Sequence, residues 1–247
     1  MREEGSALPR VPADDETAVL NLLTVERNAA IGEATRLRNQ IHAHLLQLDP
    51  EYHLRLSSLG SRKGLAAVKT YTVDDPDRFR QERAAAVRRL AARLELALAQ
   101  AAEMSARIRE LAAAQFTPLT RLCGVDLLTA GAIAGMLGPG RRIATEAQMA
   151  AYAGVSPLEA SSAGRVRHRL NRTGNRRLNA VLYRIALTQA HYSEQARAYL
   201  ARRVSEGKTK REALRALKRH LARAVFRLWT ECLLPQPPSP CDLELDT

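Results

Sequence analysis

The residue types with the most capacity for chemistry are concentrated in one segment of the chain, residues 154–175. Two hydroxyl side chains, Ser161 and Ser162, stand beside the flexible step Ala163-Gly164. Between residues 160 and 193 the chain has seven arginines and no aspartate or glutamate, whereas elsewhere basic and acidic residues are interleaved. A long basic stretch without acids favours a polyanion as the partner.

Three arginines of this segment stand at alternate positions, Arg165, Arg167 and Arg169. Because alternate side chains of an extended strand share a face, these guanidinium groups would line one side of a short β-like element. Bidentate contacts from them to a phosphate backbone would give salt-dependent affinity for nucleic acid. The alternative is a solvated basic loop. The arginines that follow in the same stretch are Arg172, Arg176 and Arg177.

Ser161 and Ser162 are candidate nucleophiles, although a pair of serines in a loop more often only forms a turn. Beside Gly164 and facing clustered arginines, a hydroxyl of this pair could attack a phosphodiester. The arginines would activate the hydroxyl and stabilise the charge that develops on the non-bridging oxygens. His168 could assist proton transfer, or it could equally stack or fill a gap in the core.

The composition predicts a mainly all-α fold to position this segment. Hydrophobic residues make up 46% of the chain and aromatic residues 4%, and the abundance of Ala, Leu, Arg and Glu favours helices over sheets. The net charge of +12 indicates nucleic acid or an anionic membrane face as the partner. No apolar run approaches the roughly 18 residues that span a bilayer, so we expect a cytoplasmic protein with no membrane partner.

The unevenly spaced cysteines Cys123, Cys232 and Cys241 argue against a disulfide framework or a zinc site.

Four parts are predicted along the chain. Residues 1–13 form an extended lead-in, 14–116 a long helical hairpin, 117–232 a compact helical domain, and 233–247 a disordered tail. The tail is assigned by its Pro-rich start, because proline cannot continue a helix.

The second long helix of the hairpin carries the clearest repeat in the sequence. Its apolar residues follow alternating spacings of three and four, and they are Val87, Leu90, Leu94, Ala97, Ala101, Met104, Ile108 and Leu111. This heptad seam predicts a coiled coil. Its partner is expected to be the helix that begins at Asp14 or Asp15, folded back antiparallel, and the alternatives are a second copy or an ordinary bundle. We also expect homo-oligomerisation through this coiled coil.

The compact domain is expected to begin with a helix-hairpin-helix-like element at residues 119–137. Amides of its turn could face a DNA phosphate, or its second helix could simply pack through Ala130, Gly131 and Ala134. A capping-box pattern at Thr209 and Glu212 predicts the start of the last helix. The outward residues of that helix are predicted to be Lys210, Arg211, Arg215, Lys218, Arg219, Arg223 and Arg227.

Four blocks occur in an order and at spacings that are more specific together than any one block alone. They are Leu122-Cys-Gly-Val125 with Ala130, Ala150-Ala-Tyr-Ala-Gly-Val-Ser-Pro157, Ser162-Ala-Gly-Arg165, and Arg172-Thr-Gly-Asn-Arg-Arg-Leu178. In these blocks the chain resembles the C-terminal transposase domain of the IS110 insertion-sequence family. The segment Asn39-Gln-Ile-His-Ala-His-Leu-Leu46 resembles the coiled-coil part that precedes that domain, so the resemblance covers roughly residues 8–232.

The resemblance implies a bacterial, nucleoid-associated DNA recombinase whose DNA sites are chosen by a structured guide RNA. It implies that Ser162 attacks a DNA phosphate and forms a covalent phosphoserine intermediate before strand exchange. Family members carry a RuvC-like nuclease domain with Asp and Glu ligands for a divalent metal ahead of this part. Residues 1–115 show no alternating sheet pattern with spaced acids, so we expect this chain to lack that domain and to use no cofactor of its own. The alternatives are a non-catalytic DNA- or RNA-binding remnant and a purely structural helical oligomer.

Overall fold

The computed structural model describes residues 15–140, 143–159, 168–169, 171 and 173–234. It confirms the predicted mainly all-α fold. The elements in chain order are α1 (Glu16–Leu48), α2 (Tyr52–Arg55), α3 (Arg62–Lys69), α4 (Arg78–Gln115), a 3-10 helix (Thr117–Arg121), α5 (Leu127–Leu137), α6 (Glu146–Tyr152), β1 (Leu158–Glu159), β2 (His168–Arg169), α7 (Arg176–Tyr192), α8 (Glu194–Ser205) and α9 (Lys210–Leu233). No helix within the described ranges has both the length and the apolar character needed to cross a membrane.

The chain divides into two compact units. One consists of residues 23–107, and the other of residues 1–22 together with residues 108–247. The predicted lead-in at 1–13 and the greater part of the predicted tail lie outside the described residues. The predicted division of the chain at residue 117 stays a prediction.

The unit of residues 23–107 is a helical hairpin formed by α1 and α4. Three polar contacts join the two helices: Arg27 Nε donates to Ser105 Oγ at 2.6 Å, Arg93 pairs with Glu33 at 3.3 Å, and Arg80 Nη2 donates to the carbonyl of Leu48 at 2.8 Å. Residues later in α1 contact residues earlier in α4, so the two helices are antiparallel. Within this chain, α1 is therefore the partner of α4, and homo-oligomerisation stays a prediction.

Small and branched apolar residues form the core of this hairpin. Leu37, Ile41 and Leu45 of α1 are buried in one cluster with Val87 and Leu94 of α4. The predicted seam is correct at Val87, Leu94, Ala97 and Ala101, which are buried, whereas Leu90 and Met104 are only half-buried. Ala84 and Ala91, which the heptad pattern left out, are also buried. Alanine at these positions lets the two helix backbones approach closely.

In the second unit, α9 packs against α6, α7, α8 and the 3-10 helix. Its inward face holds Leu217, Leu221, Val225 and Trp229, all of which are buried. The facing residues of α7, from Leu178 to Ala186 at helical spacing, are buried as well. This arrangement makes α9 the central helix of the unit and fixes the start of α7 relative to it.

The helix-hairpin-helix-like element is present and favours the packing interpretation. A glycine turn at Gly124, with φ of 90°, precedes α5. The carboxylate of Asp126 accepts a hydrogen bond from the amide of Thr129 at 2.8 Å and therefore caps the helix that a phosphate would otherwise approach. A Cβ on Gly131 would lie 2.6 Å from Ile108 Cγ2, so α5 is packed closely through its small residues.

The predicted helix starts agree with the capping contacts. Asp15 Oδ1 accepts from the amides of Thr17 and Ala18 at 3.0 and 3.2 Å, so Asp15 is the residue that caps α1. Thr209 and Glu212 exchange the reciprocal contacts of a full capping box at the start of α9.

Candidate nucleic-acid interface

Two short paired strands lie before and after the candidate nucleophile in the sequence, within the segment of residues 154–175. β1 and β2 pair antiparallel, with Leu158 opposite Arg169 and Glu159 opposite His168. The predicted β-like element is therefore present at Arg169, and residues 160–167 connect the two paired strands in sequence. The other predicted site residues of this segment lie outside the described residues: Ser161, Ser162, Arg165, Arg167 and Arg172.

Residues 152–154 and 174–175, which we call the neck, bring the two ends of this segment together. A Cβ on Gly174 would collide with the backbone nitrogen and Cα of Gly154 and would lie 2.9 Å from the carbonyl oxygen of Tyr152. Gly154 has φ of 66°, a left-handed conformation that favours glycine. The amide of Asn175 donates to the carbonyl of Tyr152 at 2.6 Å. The neck is thus held by backbone contacts that leave no space for a side chain.

Asn175 connects the neck to the start of α7. Its Oδ1 accepts from the amides of Arg177 and Leu178 at 3.0 and 3.1 Å, which satisfies two amides of the first helical turn. Its Nδ2 donates to the hydroxyl of Tyr152 at 2.8 Å, and that hydroxyl donates to the carbonyl of Met136 at 2.8 Å. One side chain therefore fixes both the beginning of α7 and the position of the neck.

Asn179, one turn further along α7, connects the neck to α9. Its Nδ2 donates to the carbonyls of Ala153 and Gly154 at 2.8 and 3.2 Å. Its Oδ1 accepts from the ammonium group of Lys218 at 2.8 Å. Lys218 was predicted to face outwards, and this prediction is wrong: the residue is only 7% exposed. The helical periodicity of α9 could not show that the start of α7 would cover this position.

Two clefts adjoin the neck, with volumes of about 450 and about 360 Å³. Gly154, Asn171 and Lys218 line both of them. The larger cleft is bordered by four further basic side chains, which are Arg203, Lys208, Arg215 and Arg219. The smaller cleft is bordered by Arg176, Asn179 and Tyr183. Lys218 is thus the cationic residue shared by both concave surfaces.

The acidic groups near these clefts are already engaged. Glu212, which lines the larger cleft, accepts from the amide and the hydroxyl of Thr209 at 2.9 and 2.8 Å. These hydrogen bonds lower the pKa of Glu212. Glu146 pairs with Arg227 at 2.8 Å and with Arg223 at 3.5 Å, so it neutralises the far part of α9. Because its pKa is lowered, Glu212 stays ionised and offsets part of the charge of Lys208 and Arg215. Arg203 pairs with Glu206 at 2.6 Å. Among the described side chains, the basic residues around the clefts still outnumber these two carboxylates.

Arg176 and Arg177 occupy the first turn of α7, where both are exposed. The positive end of the helix dipole disfavours cations at this position, and the first turn contains no acidic residue. Among the side chains that the structure describes, neither arginine forms an ion pair with a carboxylate. An anion bound at this end of α7 would stabilise both arginines.

The environment of Lys218 also disfavours a positive charge. Burial lowers the pKa of Lys218, and the nearby charge of Arg215 lowers it further. The ring centroid of Tyr183 lies 5.8 Å from the ammonium nitrogen, which is within range of a cation–π contact. A bound anion would therefore interact with a cation that has few competing partners.

Sequence reasoning missed the three polar residues that hold this interface together, Tyr152, Asn175 and Asn179. A signal was present, because Asn175 and Asn179 are one helical turn apart and flank the pair Arg176-Arg177. Within the described part of the chain, no group of three or more His, Cys, Asp or Glu side chains is placed to hold a metal ion.

The fold and the charges together define a helical domain with a glycine-closed neck and a basic surface suited to a polyanion. Residues 117–201 of the chain match the model of the Transposase IS116/IS110/IS902 family. The chain is also similar to a Streptomyces coelicolor protein described as "Insertion element IS110 uncharacterized 43.6 kDa protein", with 29% identity over 128 residues. This similarity covers 51% of the chain and 32% of that protein, so it extends over about a third of the relative's length.

Proposed function

We propose that this chain is the DNA-binding and strand-transfer part of an insertion-sequence transposase. The observation that carries the proposal is the match of residues 117–201 to the transposase family, because this range contains the neck, both short strands and the acid-free basic stretch. The excess of positive charge beside the neck supports DNA as the substrate, since phosphate contacts supply most of the affinity of such surfaces.

The proposed reaction is a transesterification at Ser162. The hydroxyl oxygen attacks a DNA phosphorus, the bond from phosphorus to one deoxyribose oxygen breaks, and a phosphoserine ester forms. The hydroxyl proton leaves to a base, and the departing deoxyribose oxygen takes up a proton. Attack on the same ester by the oxygen of another strand end would restore a phosphodiester and release Ser162.

The arginines of the segment have two proposed roles. Arg165, Arg167, Arg169 and Arg172 would contact phosphate oxygens near Ser162 and stabilise their developing charge. Arg176 and Arg177 would contact the backbone where it passes the start of α7, which is supported by their exposure on that first turn.

The resemblance further implies a divalent metal held by carboxylates of a RuvC-like nuclease domain, a structured guide RNA, and assembly of several copies. The described residues offer no group of acids for such a metal, and no step above depends on it. We propose that guide RNA and assembly through the helical hairpin accompany the reaction, with nucleoid association as the consequence.

The nucleophile is tested by trapping the covalent intermediate. DNA carrying candidate element ends is incubated with the chain and a RuvC-like nuclease domain supplied separately, and protein–DNA adducts are separated under denaturing conditions. We expect an adduct with the unchanged chain and with Ser161→Ala, and none with Ser162→Ala. An adduct that persists in Ser162→Ala would show that another residue is the nucleophile.

DNA binding is tested separately by its salt dependence. The double change Arg176→Ala with Arg177→Ala should reduce the slope of log K against log salt by about 1.8, since each phosphate contact contributes about 0.9. The matched control is Arg62→Ala with Lys63→Ala, an adjacent exposed pair in the first turn of α3. Salt-dependent binding without any adduct would favour the non-catalytic nucleic-acid-binding alternative.

A further inference from the structure

We propose that Lys218 contacts a phosphodiester group of the bound nucleic acid at the place where the two clefts meet. The inference rests on the proposed function in that the chain must bind nucleic acid. Lys218 lies beyond the range 117–201 that matches the transposase family, so its role is argued from its surroundings alone.

Lys218 is a buried cation whose pairing is incomplete. An ammonium group has three N–H donors, and the hydrogen bond from Lys218 to a described side chain goes to Asn179 at 2.8 Å. That acceptor is neutral, although the residue is only 7% exposed. Buried charges are normally paired with an opposite charge. Among the described side chains Lys218 forms no such pair, and a phosphate oxygen would supply it.

Other basic side chains surround Lys218. On α9 itself, Arg215 and Arg219 border the larger cleft with it, and from the neighbouring segment Lys208 does the same. On the other side, Arg176 of α7 borders the smaller cleft. The acid in this group, Glu212, is ionised, because hydrogen bonds from Thr209 and the charges of Lys208 and Arg215 lower its pKa, but it is a single carboxylate among these cations. A fixed set of cations around one buried ammonium is unfavourable without a further anion.

Asn179 fixes the position of the ammonium group of Lys218. Its amide nitrogen donates to two backbone carbonyls of the neck, at Ala153 and Gly154. This determines which amide atom is the oxygen and directs that oxygen at Lys218. The ammonium is therefore held beside the base of the segment that contains Ser162, so a phosphate bound there would lie on the path of the nucleic acid past the neck.

The identity of the residue agrees with this role. The chain has 38 basic residues, of which five are lysines: Lys63, Lys69, Lys208, Lys210 and Lys218. A guanidinium group would bring five donors into a buried place that offers one amide oxygen. An ammonium group is compact and can direct its remaining donors to a single phosphate.

The proposal is tested with Lys218→Met, which keeps an unbranched side chain only one heavy atom shorter and removes the charge. Binding to a DNA duplex and to a structured RNA is measured by fluorescence anisotropy over a range of salt concentrations. We expect the salt slope to fall by about 0.9 and the affinity at 0.1 M salt to fall by about tenfold. The control is Lys210→Met, an exposed lysine of α9 that borders neither cleft, for which we expect a change of less than about twofold.

A measurement on the unchanged chain makes the test independent of whether the variant folds. The side-chain 15N signals of the five lysines are recorded while inorganic phosphate and then DNA or RNA are added, and Lys218 is assigned by its loss in Lys218→Met or in Lys218→Arg. We expect the Lys218 signal to shift with phosphate and to shift further with nucleic acid, whereas that of Lys63 should not move.

The outcomes separate this inference from the proposed function. A Lys218 signal that stays unchanged while nucleic acid binds, or an unaltered salt slope in a folded Lys218→Met chain, would overturn the role of Lys218 and leave Ser162 untouched. A shift with RNA but not with DNA would support the phosphodiester contact and contradict DNA as the substrate. If neither nucleic acid binds, both the inference and the proposed function fail. Loss of the adduct in Ser162→Ala concerns only the proposed function.

Discussion

The neck makes a specific prediction about Gly174. Replacement by alanine would place a Cβ against the backbone of Gly154 and 2.9 Å from the carbonyl oxygen of Tyr152. These obstacles are backbone atoms of a turn that hydrogen bonds already hold, so they cannot move aside as the end of a flexible side chain can. We expect the Gly174→Ala chain to lose the close contact between the two ends of the segment.

The expected magnitude follows from two opposing effects. Forced overlap in a packed region costs about 3 kcal/mol at the upper end of its usual range, which applies because three backbone atoms are involved. Alanine also restricts the unfolded chain, which returns up to about 1 kcal/mol. The net loss in the free energy of unfolding should therefore be about 2 kcal/mol.

The assay uses the single tryptophan of the chain, Trp229. It is 1% exposed and lies in the same compact unit as Gly174, so its fluorescence reports the unfolding of that unit. With a urea dependence of about 2 kcal/mol per molar, a loss of about 2 kcal/mol lowers the urea midpoint by about 1 M.

The control is Gly207→Ala. Gly207 has φ of 83°, and a Cβ added there would meet nothing within 4 Å, so alanine costs only the strain of a left-handed backbone, about 1 kcal/mol. If Gly174→Ala lowers the midpoint no more than Gly207→Ala does, the close approach at the neck does not limit stability and the reasoning is refuted.

Two further predictions concern helix starts, and both use the same fluorescence measurement. Asn175→Ala should lower the free energy of unfolding by about 1–2 kcal/mol, because it removes the cap of α7 and the partner of the Tyr152 hydroxyl; Asn175→Asp, which can still cap, should lose less, and an equal loss would contradict the capping role. Partial burial opposes ionisation of Asp126, but hydrogen bonds from Thr129 and the charge of Arg109 outweigh it and lower its pKa. Its contribution to stability is therefore present above its ordinary pKa and lost as the pH falls through the lowered value, so Asp126→Asn should lose less stability than the unchanged chain between about pH 6 and about pH 3. Identical acid sensitivity of the two would show that Asp126 is not a source of that stability.

The helices could be predicted from the sequence because their signals are local. Asp15 and Thr209 occupy capping positions that the structure confirms. The apolar spacing of α4 predicted most of its buried face, since a heptad repeat specifies one stripe of a helix. The heptad pattern left out Ala84 and Ala91, which are buried in the cluster shared with α1. An alanine in a sequence does not by itself predict that another helix packs against it.

The site could be predicted only in part, because its geometry depends on contacts between distant residues. The acid-free stretch indicated where positive charge accumulates, and the structure places Arg176 and Arg177 exposed at the start of α7. The neck was not predictable, since the contact of Gly154 with Gly174 requires the two strands to pair and α7 to begin where it does. Ser162 was assigned through the resemblance, and it stays a prediction.

Lys218 shows what a single-helix pattern omits. A helical pattern assigns a lysine to the exterior whenever it is surrounded by other charged residues in sequence, and on α9 that reasoning is correct for Arg223 and Arg227, which pair with Glu146 at the surface. The same pattern fails at a position that the end of another helix covers. The start of α7 covers Lys218 and offers it an amide oxygen but no carboxylate. Lys218 is held in this way, and the helix dipole of α7 disfavours the positive charge of Arg176 and Arg177. A bound anion at the neck would stabilise these cations. The same anion would interact with Lys218 of α9 and with Arg176 and Arg177 at the start of α7, so the cost of assembling these cations is a reason to expect a phosphate there.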